Sequence, residues 1–179
     1  MEKVLRRLEK NDLFVKPEKC RWKVRKVEFL GVVIGPGGVR MQKEKVDGVL
    51  NWPTPRSAKD IQKFMGLANY YRQFIQDFSR VAKPLNMLVE KDRKWEWGVE
   101  QQGAFEELKR RFTTEPVLVV PDRNQEMRVE ADASDYVMGG TLSVKGEDRK
   151  WRPVAFISKS LSPVERNYEI YDKEMLVVI

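Results

Sequence analysis

The sequence contains no histidine at all. That excludes a Ser-His-Asp triad, a histidine general base and any histidine-ligated metal within these residues. It has one cysteine, Cys20, which leaves no internal disulfide framework and no multi-cysteine zinc site. The strong metal ligands that remain are carboxylates, and these favour hard ions such as Mg²⁺ or Mn²⁺. No apolar run approaches the roughly 20 residues that a membrane-spanning helix needs. The first residues, MEKVLRRLEKND, are charged throughout and lack the apolar stretch of a secretory signal. The expectation is a protein that is neither secreted nor membrane-bound, with cytoplasm as its compartment.

What is present is a globular composition: 41% hydrophobic and 34% charged over 179 residues. The net charge of +7 is unevenly spread. Residues 1–94 hold 22 Lys/Arg against 11 Asp/Glu, a balance of +11, while residues 95–179 hold 12 against 16, a balance of −4. A basic half joined to a mildly acidic half suggests two modules, the first suited to neutralising phosphates. Ordinary lysine-rich solubility explains the charge alone equally well.

The pattern along the chain is mixed α and β. Residues 2–10 carry Val4, Leu5 and Leu8 at helical spacing. Leu13-Phe14-Val15 and the stretch Cys20 to Val27 alternate like strands. Two short apolar runs around Gly35-Pro36-Gly37-Gly38 predict a β-hairpin. Helical patterns follow at Gln42–Trp52, stopped by Pro53 and Pro55, at Ser57–Ile75, and at about Ser79–Glu90. In the second, Ser57 is the candidate cap, with Asp60 three residues later. Ile61, Phe64, Met65, Ala68, Tyr71 and Ile75 recur at steps of three and four, making one buried stripe. Three helices with short links predict a small bundle. Beyond a Trp95/Trp97 linker come a helix at about Gln101–Phe112 and a short strand at Pro116–Pro121. Strands at Met127–Ser134, Met138–Ser143 and Val154–Lys159 are next. A last helix, opened by Ser162-Pro163, continues through Glu174, and its run of apolar residues to Ile179 suggests a chain cut within an element.

Several strings now match one family. Phe29-Leu-Gly-Val-Val-Ile34 with its glycine-rich turn resembles the primer-grip hairpin of gypsy-type long-terminal-repeat retrotransposon reverse transcriptases. Ser57-Ala-Lys-Asp-Ile-Gln-Lys-Phe-Met-Gly-Leu-Ala-Asn-Tyr-Tyr-Arg-Gln-Phe-Ile75 resembles that family's thumb. Trp95-Glu-Trp97 and Ala104-Phe-Glu-Glu-Leu-Lys109 are similar to the segment before its RNase H domain. Val129-Glu-Ala-Asp-Ala-Ser-Asp135, Leu161-Ser-Pro-Val-Glu-Arg-Asn-Tyr168 and Tyr171-Asp-Lys-Glu-Met-Leu176 resemble the first catalytic strand and helix of that domain. The match is colinear from about residue 3 onward. It implies an α+β fold with the end of the palm and its hairpin at 1–41, a three-helix thumb at 42–91, and a linker, helix and short strand at 92–125. The N-terminal part of an RNase H-like mixed sheet with helices follows at 126–179.

The resemblance gives the residues roles. Gln62, Gly66 and Tyr70 stand at i, i+4 and i+8, a single row offset from the apolar stripe. Gly66 has no side chain, so a duplex backbone can come close. Gln62 can bond the minor-groove acceptors shared by all base pairs, and Tyr70 can lie against a sugar. Asn69 and Gln73 flank the row. Helix–helix packing would use a glycine equally well, and spacing alone favours that reading. The family likeness favours duplex contact, and implies that the hairpin at Leu30 and Gly31 holds the primer 3′ end by backbone contacts, which suits Gly31. Arg40, Lys43, Lys45, Arg56, Lys59, Lys63, Arg72 and Arg80 are candidate phosphate contacts; each alone is also an ordinary surface charge.

RNase H chemistry needs two metal ions about 4 Å apart, clamped by converging carboxylates. Asp132 matches the family's first carboxylate and Glu174 its second, so these two are the expected catalytic and metal-ligating residues here. A shared face of Tyr171, Glu174 and Val178 would point Glu174 inward. Strand parity puts Asp135 on the face opposite Asp132 if the strand continues, and Glu130 on the face of Asp132, as a non-catalytic neighbour; the resemblance implies that Asp135 is a strand-end or turn residue without a metal role. The family's polymerase carboxylates, in a Tyr-x-Asp-Asp turn plus an earlier Asp, are not in this sequence, nor are its later RNase H carboxylates. The expectation is a part of a larger polyprotein that grips an RNA–DNA hybrid or DNA duplex, in the cytoplasm or within a virus-like particle there, and by itself neither polymerises nor cleaves. The competing reading is a catalytically inactive, retroelement-derived nucleic-acid-binding module.

Overall fold

The computed structural model describes residues 1–114, 116–122 and 124–178. The first helix, α1 (Glu2–Glu9), buries no residue. The alternating stretches Leu13–Val15 and Cys20–Lys26 are not strands; a short 3₁₀ turn at Pro17–Lys19 lies between them. Alternation alone makes no strand when neither face finds a partner. The sheet begins at β1 (Val27–Phe29), turns at Leu30-Gly31, and continues through β2 (Val32–Gly35) and β3 (Gly38–Met41), all antiparallel. The expected hairpin is therefore present and carries one strand more.

Pro116–Pro121 forms a single bridge rather than a strand. Val39 N–H donates to the Leu118 carbonyl at 2.7 Å and Leu118 N–H to the Val39 carbonyl at 2.9 Å. Prolines at both ends remove the donors a longer ladder needs. Gly38 sits at φ +106°, where an added Cβ would lie 2.2 Å from the Leu118 carbonyl oxygen.

The helical core follows. α2 (Lys43–Leu50) leads to α3 (Ala58–Tyr70), whose Ser57 hydroxyl accepts from Asp60 N–H at 3.3 Å. The Asp60 carboxylate answers by accepting from the Ser57 hydroxyl at 2.8 Å and from Arg56 N–H at 3.2 Å. These bonds, the Ser57 hydroxyl foremost, hold the Asp60 carboxyl below its usual pKa. The α-helix ends at Tyr70, shorter than the periodicity predicts, and a 3₁₀ turn at Arg72–Phe74 takes the chain to α4 (Phe78–Met87). α5 (Val99–Thr114) is the fourth member of the bundle. Phe105 packs between Phe64, centroids 4.8 Å apart, and Trp97, at 6.0 Å. Ala104, Leu108 and Phe112 are buried in the same cluster as Ile61, Phe74 and Leu85.

A second antiparallel sheet consists of β4 (Met127–Ala133), β5 (Val137–Lys145) and β6 (Trp151–Ser160). The α+β class holds. The described strands pair antiparallel through short connections, and no parallel pair of a mixed sheet occurs among the described residues. One face of this sheet rests on the helical core. Phe156 joins the core cluster, Ser79 N–H donates to the Ser158 hydroxyl at 2.9 Å, and Arg72 donates to the Ser158 carbonyl. Ser162 and Glu165 bond reciprocally, Ser162 N–H to the Glu165 carboxylate at 2.6 Å and Glu165 N–H to the Ser162 hydroxyl at 3.3 Å. They cap only a 3₁₀ turn at Glu165–Asn167, and α6 (Ile170–Val178) starts later than expected and packs on β4 and β5. Ile179 lies outside the described residues. Among them, no helix is long and apolar enough to cross a membrane.

Candidate nucleic-acid interface and carboxylates

The two faces of α3 separate as its sequence pattern requires. Ile61, Phe64, Met65 and Ala68 are buried, and Gln62, Gly66, Asn69 and Tyr70 are exposed. Among the described residues nothing lies within 4 Å of the position a Cβ on Gly66 would take, so among them the glycine serves no packing contact. Gln73 is exposed too, but on the 3₁₀ turn, whose tighter winding moves it off the row.

The row leads directly to the first sheet. The Tyr70 hydroxyl donates to the Leu30 carbonyl, and the Tyr71 hydroxyl donates to the Gly31 carbonyl at 2.9 Å. The sequence placed Tyr71 in the apolar stripe and Tyr70 beside a sugar, and it missed these bonds. The available signal was general: a buried tyrosine needs a partner for its hydroxyl. Tyr71 is fully buried and, through that burial, its phenol titrates above the usual tyrosine range. Both carbonyls of the turn are thus engaged, and the side chains of Phe29 and Leu30 beside them are exposed.

The basic candidates divide. Arg80 is paired with Asp77 at 2.6 Å, and Arg72 is committed to the second sheet. Arg40, Lys43, Lys45, Arg56, Lys59 and Lys63 are exposed, the last five beside or along α2 and α3. Arg56 and Lys63 flank a depression lined by Trp52, Pro53 and Pro55.

Asp132 lies on β4 opposite Gly139 and is exposed. It lines a groove of about 450 Å³ between the second sheet and the start of α4, with Gln76, Asp77, Arg80 and Glu130. Glu130 is on the same face, paired with Arg128 at 2.9 Å. Glu174 does not point inward. The inner face of α6 is buried Lys173 with half-buried Leu176 and Val177, while Tyr171, Glu174 and Val178 face out. The three do share a face, but it is the opposite face, that of Lys173, that packs on β4 and β5. Asp135 is in the β4–β5 turn, as the resemblance implies, and its carboxylate lies 3.4 Å from the Lys173 ammonium. Lys173 is only 5% exposed, an unusual place for a lysine unless its head finds a charge. Among the described residues, no three His, Cys, Asp or Glu side chains gather in a way that could hold a metal ion.

This combination of a sheet with two glycines, a helical core and an RNase H-like strand–helix unit defines a class: the profile of the RNase H-like domain found in reverse transcriptase matches residues 97–179. Over those residues the chain is similar to the RNase H-like domain of reverse transcriptases. It is 37% identical over 176 residues to the transposon Tf2-3 and Tf2-4 polyproteins of Schizosaccharomyces pombe, covering 98% of this chain and 13% of theirs. Its fold matches the foamy viral protease–reverse transcriptase in complex with RNA/DNA hybrid, with a TM-score of 0.77 and 25% identity over 98% of this chain and 24% of that one. The same viral protein in complex with dsDNA gives a TM-score of 0.77 and 26% identity over 99% of this chain and 37% of the other. The chain thus spans a small share of its curated relatives. RNase H-like domains of reverse transcriptases use divalent metal ions.

Proposed function

We propose that this chain grips a template–primer duplex, RNA–DNA hybrid or DNA, along the outer row of α3 and the Leu30-Gly31 turn. It does so as part of a larger polyprotein. The supporting observation is the continuity of the row: exposed Gln62, open Gly66 and Tyr70 lead to the carbonyl of Leu30. An open helical glycine is not by itself informative, since Gly48 and Gly103 are equally open. Gly66 differs in standing between a side chain that can reach minor-groove acceptors and an aromatic ring that can meet a sugar. Asn69 and Gln73 extend the polar surface beside it. The nearby exposed lysines and arginines supply phosphate contacts. The foamy viral neighbours whose complexes contain duplexes support the same reading.

In the same reading, Asp132 and Glu174 are the first two carboxylates of an RNase H site. Their oxygen donors suit Mg²⁺ or Mn²⁺. Bound divalent ions there would activate a water and stabilise the leaving oxygen of a phosphodiester.

The test is fluorescence anisotropy with a labelled RNA–DNA hybrid across a salt series, comparing wild type, Gly66→Trp and Gly103→Trp. Contact with about four phosphates gives a slope of log K against log salt near roughly −4. Gly66→Trp should lose about tenfold or more in affinity, while Gly103→Trp, on the other helix, changes little. Equal behaviour of the two variants would refute the close approach at Gly66.

A further inference from the structure

The turn between β1 and β2 is built in a conformation that its own residues do not favour. Leu30 has φ +47° and Gly31 φ +78°. Two successive left-handed residues fit a tight hairpin, but a leucine there is strained by about 1 kcal/mol or more. Leu30 is 68% exposed, so its side chain gains no packing that would offset this. What fixes the turn comes from outside it. The Tyr70 and Tyr71 hydroxyls bond two consecutive carbonyls, and Gln42 N–H adds a third bond, to the Gly31 carbonyl at 3.1 Å. The fit around Tyr71 is close: a Cβ on Gly31 would meet its hydroxyl at 2.5 Å. Tyr71 in turn is anchored in the core, its ring 6.2 Å from both Phe74 and Phe112 and 4.9 Å from Tyr70.

We propose that Tyr70 and Tyr71 are positioning residues, a clasp that holds the Leu30-Gly31 turn at a fixed offset from the Gln62–Gly66 row. This rests on the duplex-gripping reading above and deepens it. A rigid turn and a rigid row, bolted together at the end of α3, present two contact points at one spacing. A primer strand seated on the turn is then in register with the minor groove passing Gly66. Tyr70 has a double task. Its hydroxyl faces the turn, and its ring, 54% exposed, joins Phe29 and Leu30 in an apolar surface at the junction. A clasp made only of hydroxyl bonds also explains why two adjacent tyrosines stand there, since a phenylalanine would fill the same core space as Tyr71 without reaching the carbonyl.

The experiment uses the full 179-residue chain as wild type, Tyr70→Phe, Tyr71→Phe and the double variant. Amide hydrogen exchange of the free protein is measured first. The double variant should exchange at least about tenfold faster at residues 30–33 and 42, with α4 and α5 unchanged, which a general loss of stability would not produce. Hybrid affinity is measured next. The double variant should lose about fivefold or more while keeping the wild-type salt slope, because the phosphate contacts survive and only their spacing is loosened. Unchanged exchange at the turn overturns the clasp. So does faster exchange with undiminished affinity, since the offset would then be irrelevant to gripping. Should wild type fail to bind the hybrid at all, the duplex reading falls, and with it the assigned role, while the exchange result still decides whether the hydroxyls hold the turn. Tyr70→Phe alone, at an exposed ring, covers the case in which Tyr71→Phe disturbs the core.

Discussion

Gly38 is the position where one added methyl group should do the most damage. Its φ of +106° lies in a region that side chains avoid, and its Cβ would run into the Leu118 carbonyl, part of the bridge that ties the first sheet to the segment after α5. Backbone cannot yield as a side-chain tip can. Gly38→Ala is expected to cost about 2–4 kcal/mol, combining the strain of a left-handed residue with loss of the bridge. Gly37→Ala, whose Cβ would meet only the movable end of Arg40 at 3.3 Å, should be close to neutral. Urea unfolding of the two variants checks the difference; equal midpoints would show that the Val39–Leu118 bridge contributes little. At this scale the sequence was a partial guide. It singled out Gln62, Gly66 and Tyr70 as one row off the apolar stripe, and these three are exposed; Asp135 lies in the turn after β4, apart from Asp132. It did not reveal that Lys173, not Glu174, is the inward side chain of α6, because Tyr171, Glu174 and Val178 do share one face, as the spacing says, but spacing alone does not say which face of a short helix meets the sheet.

At the scale of elements, α5 shows what periodicity can and cannot say. Phe105, Leu108 and Phe112 mark an amphipathic helix in the sequence, but nothing local says which core receives the stripe. Packing among α2, α3 and α4 is a tertiary choice, and so the expected three-helix bundle is a four-helix one. Polar contacts fix the same helix in place. Glu107 accepts from Arg110 at 2.8 Å, twice, and from Arg111 at 2.7 Å, and Arg111 reaches on to the Gln76 carbonyl before α4. Bonds from Arg110 first, then Arg111, lower the Glu107 pKa to about 2. A depressed carboxylate contributes stability above its unfolded pKa near 4.5 and loses it as pH falls toward 2. Since the Glu107 side chain is about a third exposed, at 32%, the contribution is no more than about 1 kcal/mol. Glu107→Gln should therefore be less stable than wild type at pH 6, and the gap should close as pH approaches 2. Urea midpoints at pH 6, 4 and 2.5 measure it, and a gap independent of pH would assign the effect to packing instead.

Across the whole molecule, the charge division and the architecture coincide: the basic residues 1–94 build the first sheet and α1 to α4, and the mildly acidic remainder builds α5 and the second sheet. The two parts are not independent, because Phe156 and Leu118 share a hydrophobic cluster with the helices. That join explains why the groove containing Asp132 is walled on one side by Gln76, Asp77 and Arg80, residues that no reading of the RNase H-like segment alone would put there. It also bears on chemistry. Asp132 and Glu174 are both exposed, on a strand and on the outer side of a helix, and no third carboxylate gathers with them among the described residues. Mg²⁺ demands near-octahedral coordination and gives up its waters reluctantly, so two such carboxylates should hold it weakly. The 179-residue chain is therefore expected to bind an RNA–DNA hybrid through α3 and the turn without cutting it. With 5 mM Mg²⁺ or Mn²⁺ as a roughly saturating test condition for a catalytic site, a 5′-labelled RNA strand should stay intact, and Asp132→Asn should leave hybrid affinity unchanged. Cleavage that requires the metal and disappears in Asp132→Asn would overturn this. It would mean that Asp132, Glu174 and the groove beside α4 assemble a working site once the hybrid is bound.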